Sequence, residues 1–299
     1  MENVLSINGL TKRYGSITAV DRLNLEIPRG VIYGILGPNG SGKTTTLGMA
    51  LDVIRPSDGD FRWFGQPPTT EVRKRIGAIL EAPLFYPYLT GSNNLKVVAR
   101  IKGTPYAAVD KWLERVGLLE RKDSPFSTYS LGMKQRLAIA AAMLADPEVL
   151  ILDEPTNGLD PQGIAEIRTL VREIGNSGVT VLLASHLLDE VEKVCSHVAV
   201  LQRGKLLYSG PVAGMNGQSP KVELGAADLQ ALQAAMQRFP GVDGFELIEG
   251  RLLVRFTETP DTALINRYLF DQGVVANRLI LRNSSLEEQF LEITSQPRK

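Results

Sequence analysis

The eight residues Gly37-Pro38-Asn39-Gly40-Ser41-Gly42-Lys43-Thr44 constrain this chain more than any other stretch. They satisfy G-x-x-x-x-G-K-[ST] and lie between an apolar run, VIYGIL, and a helix-like run, TTTLGMAL. Glycines at these spacings let the backbone curl so that successive N–H groups point at one anion, and the following helix presents its positive end to the same place. Lys43 adds a full charge for the β and γ phosphates of a nucleotide, and Thr44 a hydroxyl for Mg²⁺. Strand, loop and helix in this order open an α/β fold with a phosphate loop.

A second stretch, VLILDEPTNGLD at 149 to 160, sets two carboxylates at the end of an apolar strand. Neighbouring side chains of a strand point to opposite sides, so Asp153 and Glu154 are expected to do different work in one place. Asp153 holds Mg²⁺ beside Thr44, and Glu154 orients the water that attacks the γ-phosphate.

Composition removes several alternatives. The 33 Lys and Arg balance 33 Asp and Glu, so no general electrostatic pull draws the chain to nucleic acid or an anionic bilayer. One cysteine, Cys195, excludes an internal disulfide and reads as a small packed residue. The start, MENVLSINGLTKRYG, lacks a basic patch followed by an apolar stretch, so no secretory signal is expected. LAIAAAMLA at 137 to 145 is far shorter than the ~18 residues a membrane span needs.

At about 100 to 200 residues per domain, 299 residues favour two domains. Short β-rich runs (VLSI, ITAV, LNLEI) fill the start; a helical stretch at about 84 to 145 reads as a separate lobe; VLILD, TVLLAS and HVAVLQRG then alternate with helices. That alternation implies a mostly parallel sheet covered by helices. PVAGMNGQSP (211 to 220) reads as a linker, which places the boundaries at 1–216 and 217–299. The second domain reads β-α-β-β-α-β, the ferredoxin-like arrangement. Ser285 and Glu288 are expected to form a capping box on a last helix, with Leu286, Phe290 and Ile293 facing the domain.

Together with Tyr129-Ser130-Leu131-Gly132-Met133-Lys134-Gln135, these residues resemble the nucleotide-binding subunit of ATP-binding-cassette (ABC) transporters over roughly residues 1 to 215. The variant signature is similar to that of the antibiotic and lantibiotic exporters, the bacitracin-transporter-like subgroup. Ser130 is a good helix cap on its own chemistry, so a second anion-binding helix end exists in the chain. The resemblance implies a P-loop NTPase core of RecA-like type with a helical subdomain, ATP and Mg²⁺ as ligands, and two cassettes paired head to tail as a homodimer or with a related cassette. Each ATP then lies between the P-loop of one subunit and Ser130, Leu131, Gly132 and Met133 of the other. It also implies that Tyr14 stacks on adenine, Thr45 and Thr46 reach the α-phosphate by hydroxyl or backbone, Asp160 sits at the dimer seam and His186 contacts the γ-phosphate and attacking water. His197 has no such context and reads as structural. Where most cassettes have glutamine, this chain has Glu81, a candidate Mg²⁺-proximal sensor that brings extra negative charge and donates no hydrogen bond unless protonated.

The expected function is an ATPase subunit driving an exporter through a separate transmembrane permease, in the cytoplasm at the inner face of the cell membrane. Leu84-Phe85-Tyr86-Pro87-Tyr88-Leu89 either receives a helix of that permease or packs the lobe's own core. The rival reading is a cassette protein acting on ribosomes or nucleic acid, disfavoured by the zero net charge and the single cassette. A P-loop GTPase or kinase is disfavoured because the guanine-reading N-K-x-D is missing and because that reading leaves Tyr129 to Gln135 unexplained. The second domain is assigned to dimer support or regulation.

Overall fold

Parallel strands buried on both faces read as unbroken apolar runs, and VLILD and TVLLAS are buried at every position. The computed structural model describes residues 2–80, 83–215, 220–248, 250–282 and 286–295. It divides into two compact units, Met1–Val212 and Ala213–Lys299.

The first unit runs β1 (Asn3–Tyr14), β2 (Ile17–Pro28), β3 (Ile32–Leu36), α1 (Lys43–Ala50), β4 (Asp58–Trp63), α2 (Thr70–Lys74), β5 (Ile76–Ile79), then α3 (Gly91–Lys102), α4 (Ala107–Arg115) and α5 (Leu131–Met143). It continues β6 (Val149–Asp153), α6 (Pro161–Asn176), β7 (Thr180–Ser185), α7 (Leu188–Val194), β8 (His197–Gln202) and β9 (Lys205–Pro211). The main sheet has the order β5-β6-β7-β3-β8-β9, parallel except for β9. The expected parallel sheet is therefore present, but the early β-rich runs do not join it. They form two twelve-residue strands of a separate antiparallel sheet, β2-β1-β4. Trp63, fully buried, ties this sheet to the helix of the phosphate loop by donating Nε1–H to the Ala50 carbonyl at 2.7 Å. One apolar core unites both layers, with Leu10, Leu23 and Trp63 from one and Ile35, Leu47 and Ile151 from the other.

The lobe is α3, α4 and α5. Thr90 caps α3 by accepting from the Asn93 N–H at 3.1 Å. Asn94, buried one turn in, clamps the aromatic segment: its side chain accepts from the Tyr86 N–H at 2.9 Å and donates to the carbonyls of Tyr86, Leu89 and Thr90. Phe85 packs inward, its ring 5.2 Å from Phe126, while Leu84, Tyr86 and Tyr88 stay exposed.

The second unit runs β10 (Lys221–Ala226), α8 (Leu229–Met236), β11 (Val242–Ile248), β12 (Arg251–Phe256), α9 (Thr262–Asp271), β13 (Ala276–Arg282) and α10 (Leu286–Ser295). Its antiparallel order β11-β12-β10-β13 is the ferredoxin-like one. Val222, Leu224, Val254 and Phe256 pack with Leu232, Ile265 and Leu269 of α8 and α9. Ser285 and the Glu288 side chain lie outside the described residues, so the capping box does too; Leu286 is buried and Phe290 and Ile293 are half-buried.

On the other face of this sheet Glu223 is buried and holds three guanidinium groups: Arg251 at 3.0 Å, Arg282 Nε at 2.6 Å, and Arg278. Hydrogen bonds from Arg282 and Arg278 pull its carboxyl from the usual 4.5 down to about 2. A depressed carboxylate stabilises the fold above its unfolded pKa and stops doing so as pH falls through its folded one. Glu223→Gln should therefore lower the melting temperature of the full chain by a constant margin above pH 4.5, and that margin should close as pH falls toward 2. Calorimetry of both forms across this range checks it.

Candidate active site

Three loops meet at the carboxyl edge of the parallel sheet because the register brings their strands to an end together. Leu36 of β3 pairs with Ser185 of β7, and Ala184 of β7 pairs with Asp153 of β6. The residues that follow, Gly37, His186 and Glu154, therefore emerge side by side where open α/β sheets bind ligands.

The loop after β3 closes on its own lysine. Lys43, 5% exposed, donates from Nζ to the Gly37 carbonyl at 2.8 Å. Gly42, the residue before α1, has φ 106°, and a Cβ there would come within 2.7 Å of the Ala19 carbonyl, so no other residue fits. That contact also brings the β1–β2 hairpin, which carries exposed Tyr14 under the Lys12 ammonium, toward the phosphate loop. Pro38, Asn39 and Gly40 are exposed at the loop's crest, and Ser41 is buried with its Oγ lacking a hydrogen-bond partner among the described residues. Thr44 is exposed and Thr45 half-buried, but Thr46 is 1% exposed. Its hydroxyl is buried without a hydrogen-bond partner among the described residues.

Glu154 lies at the centre. Its Oε1 is 3.4 Å from Lys43 Nζ and its Oε2 is 2.8 Å from His186 Nδ1. Strand alternation does not place it there, contrary to expectation. β6 ends at Asp153, and Glu154 turns into the left-handed region with φ 50° while its N–H donates to the Ala184 carbonyl at 2.9 Å. Asp153 remains in the strand, 3% exposed. The backbone turn, not the pleat, separates the two carboxylates.

The other expected residues form a second group. Ser130 has extended backbone, and its Oγ accepts from the Met133 N–H at 3.2 Å to cap α5. Leu131 is exposed, and a Cβ on Gly132 would sit 3.9 Å from Leu159. The Ser130–Met133 turn therefore lies against the loop that ends in Asp160, which caps α6 by accepting from the Gly163 N–H at 3.0 Å. Among the described residues no hydrogen bond or ion pair joins this group to Lys43, Glu154 and His186. Glu81 lies outside the described residues. His197 is half-buried and stacks on Tyr33, ring centroids 6.1 Å apart. Cys195 is buried, and burial pushes its thiol pKa up.

Comparison with known proteins decides the family. The ABC transporter family model matches residues 20–157. The bacitracin transport ATP-binding protein BcrA of Enterococcus faecalis is 37% identical, over 98% of this chain and 97% of its own length. The chain belongs to the ABC transporter family. It is an ATP-binding subunit of that family, an ATPase that powers transport. The daunorubicin/doxorubicin resistance ATP-binding protein DrrA of Streptomyces peucetius is 34% identical over 98% of this chain and 93% of its own. The solved structure of cbiO1 from Clostridium perfringens, part of the ABC transporter complex cbiONQ, superposes with TM-score 0.65 at 28% identity, covering 79% of this chain and 100% of that one.

The ABC ATPase site fits a nucleoside triphosphate on its own geometry: glycine-lined loop, buried ammonium, and the N-terminus of α1. Its donor types also suit a hard cation, since Thr44 in the first turn of α1 offers an open hydroxyl and Asp153 at the end of β6 a carboxylate, the kind of oxygen donors Mg²⁺ takes together with substrate phosphates. Signals for Thr44 and Asp153 lie in the motifs. The Ala184 carbonyl that holds Glu154 carries no sequence signal, because its role is a backbone one.

Proposed function

We propose that this ABC ATPase works as a head-to-tail pair on a separate membrane permease and drives export of an antibiotic, peptide or other hydrophobic compound. Bacitracin, lantibiotic and drug-resistance relatives motivate the cargo class. The observation that carries the pairing is that the chain has two helix N-termini suited to an anion, α1 after Gly42 and α5 after Ser130, with no described bond between them. One nucleotide cannot use both from one copy, so a second copy supplies the other half.

In this reading Lys43 and the loop N–H groups hold the β and γ phosphates, Tyr14 packs on the base, and Thr44, Asp153 and Glu81 hold Mg²⁺, which neutralises phosphate charge when bound. Glu154 accepts a proton from water as its oxygen forms a bond to the γ-phosphorus; the bond to the bridging oxygen breaks and ADP leaves. His186, hydrogen-bonded to Glu154, orients the carboxylate and reaches the γ-phosphate. Asp160 lies at the seam between copies. Exposed Leu84, Tyr86 and Tyr88 form the contact for a permease helix, since aromatic side chains clustered on a surface anchor partners. Among the described residues no helix is long and apolar enough to cross a membrane, and the site of action proposed is the inner membrane face. The C-terminal unit supports the pair or regulates it.

The test is complementation between two inactive chains. Lys43→Ala damages the phosphate loop and Gly132→Asp puts a carboxylate into the Ser130 turn. Each alone is expected to be inactive, whereas an equimolar mixture regains part of the ATPase rate, because a mixed pair contains one site assembled from two intact halves. A mixture as inactive as its parts removes the head-to-tail arrangement.

A further inference from the structure

Helices α5 and α6 border a solvent-open cleft whose lining includes the end of α4, Arg136, Gln162 and Glu166. Arg136 spans it. This residue sits on the helix that Ser130 caps, and its Nη1 donates to the Val116 carbonyl at 2.9 Å and, at 3.5 Å, to that of Gly117. These carbonyls lie at the end of α4, where the helix has no internal donors left to offer. On the other side of the guanidinium, Nε faces Glu166 Oε2 of α6 at 3.5 Å. Glu166 is fixed in turn by Gln162, which donates to its Oε1 at 3.0 Å.

This contact is a Coulombic one and too long for a good hydrogen bond. Arg136 Nε is buried and has no hydrogen-bond partner among the described residues. A buried donor without an acceptor is unfavourable, so the pair favours any closer approach of the lobe to α6. Helix α6 is itself held from its far side. Arg168 donates to both oxygens of Glu190 on α7 at 3.3 and 3.4 Å, and Arg172 bonds the Lys193 carbonyl. Helix α7 follows His186 directly, so α6 has fixed links to the helix behind His186 and, through Arg136, to the helix behind Ser130.

We propose that Arg136 is a positioning residue for the Ser130–Met133 turn: by hydrogen-bonding the end of α4 while its charge faces Glu166, it sets that turn against the core that carries Lys43 and Glu154. The proposal rests on the head-to-tail reading, in which the turn serves the other copy's ATP. Only a guanidinium can face both partners at once; a lysine ammonium reaches one.

The experiment measures ATP-dependent pairing of the full chain by analytical ultracentrifugation, with Glu154→Gln as the parent so that nucleotide is retained. Arg136→Gln should weaken pairing by about tenfold or more, Arg136→Lys by less, and Glu166→Gln should weaken it in the same direction. Binding of a fluorescent ATP analogue to the dilute single chain should not change, because the phosphate loop is untouched. Equal pairing by all variants overturns the proposal, and so does a parallel loss of nucleotide binding, which marks general damage to the fold. A parent that pairs while the variants do not differ rejects Arg136 alone; a parent that stays single with ATP rejects the head-to-tail reading and Arg136 with it. If Arg136→Gln does not fold, Glu166→Gln, whose side chain is 39% exposed, carries the same test.

Discussion

Glu154→Gln should slow ATP hydrolysis by about 10²- to 10⁴-fold, the usual worth of a positioned general base, while leaving ATP bound. Glutamine keeps the length and shape of the side chain and can still contact His186, but it cannot take a proton. The backbone geometry survives, because the bond that holds residue 154 in its left-handed turn runs from its own N–H to the Ala184 carbonyl and does not involve the side chain. Loss of one negative charge 3.4 Å from Lys43 also leaves the ammonium less compensated, which favours bound triphosphate. Phosphate release and nucleotide retention, measured on the same preparation, separate the two effects. A rate within tenfold of the unmodified chain would place the base at another residue.

The phosphate loop and the carboxylate strand are legible in the sequence because their chemistry is local. A curl of glycines before a lysine, and an apolar run that ends in two acids, are set by neighbours along the chain. Ser130 is legible for the same reason, since a cap acts on the N–H three residues on. Order across the sheet is not local. Nothing between residues 32 and 185 announces that β7 inserts between β3 and β6, yet that insertion brings His186 within 2.8 Å of Glu154. Long antiparallel strands with shifted register defeat a period-of-two reading. β1 slips register at four places against β2, so its apolar pattern breaks into pieces that look like short separate strands. The second unit is easier, because β-α-β-β-α-β with short connections admits few arrangements, and the order β11-β12-β10-β13 is the one its pattern implies. The left-handed turn at Glu154 has no signature in the sequence, since residues other than glycine rarely adopt a positive φ.

Lys43→Ala should weaken ATP binding by roughly 10- to 100-fold, as expected for losing a hydrogen bond to a charged group, and should abolish hydrolysis at ordinary nucleotide concentrations. The ammonium does two things in the folded chain. It closes the loop by donating to the Gly37 carbonyl at 2.8 Å, so the glycine curl is shaped before any phosphate arrives. It also stands 3.4 Å from the carboxylate of Glu154, where it offsets a negative charge that would otherwise repel the γ-phosphate. Alanine removes both, leaving a flexible loop facing an uncompensated acid. Lys43→Arg separates the contributions: it restores the charge, but the planar guanidinium does not fit a pocket in which Lys43 is only 5% exposed and its ammonium donates to the Gly37 carbonyl at 2.8 Å and, at 3.5 Å, to that of Pro38. If charge alone mattered, arginine would recover most of the affinity in a calorimetric titration with ATP; if loop shape matters as well, arginine should bind nearly as poorly as alanine. Adding Glu154→Gln to Lys43→Ala should return part of the lost affinity, because the acid that repels the phosphate is then neutral, and a double change no better than the single one would show that Lys43 acts through loop shape alone.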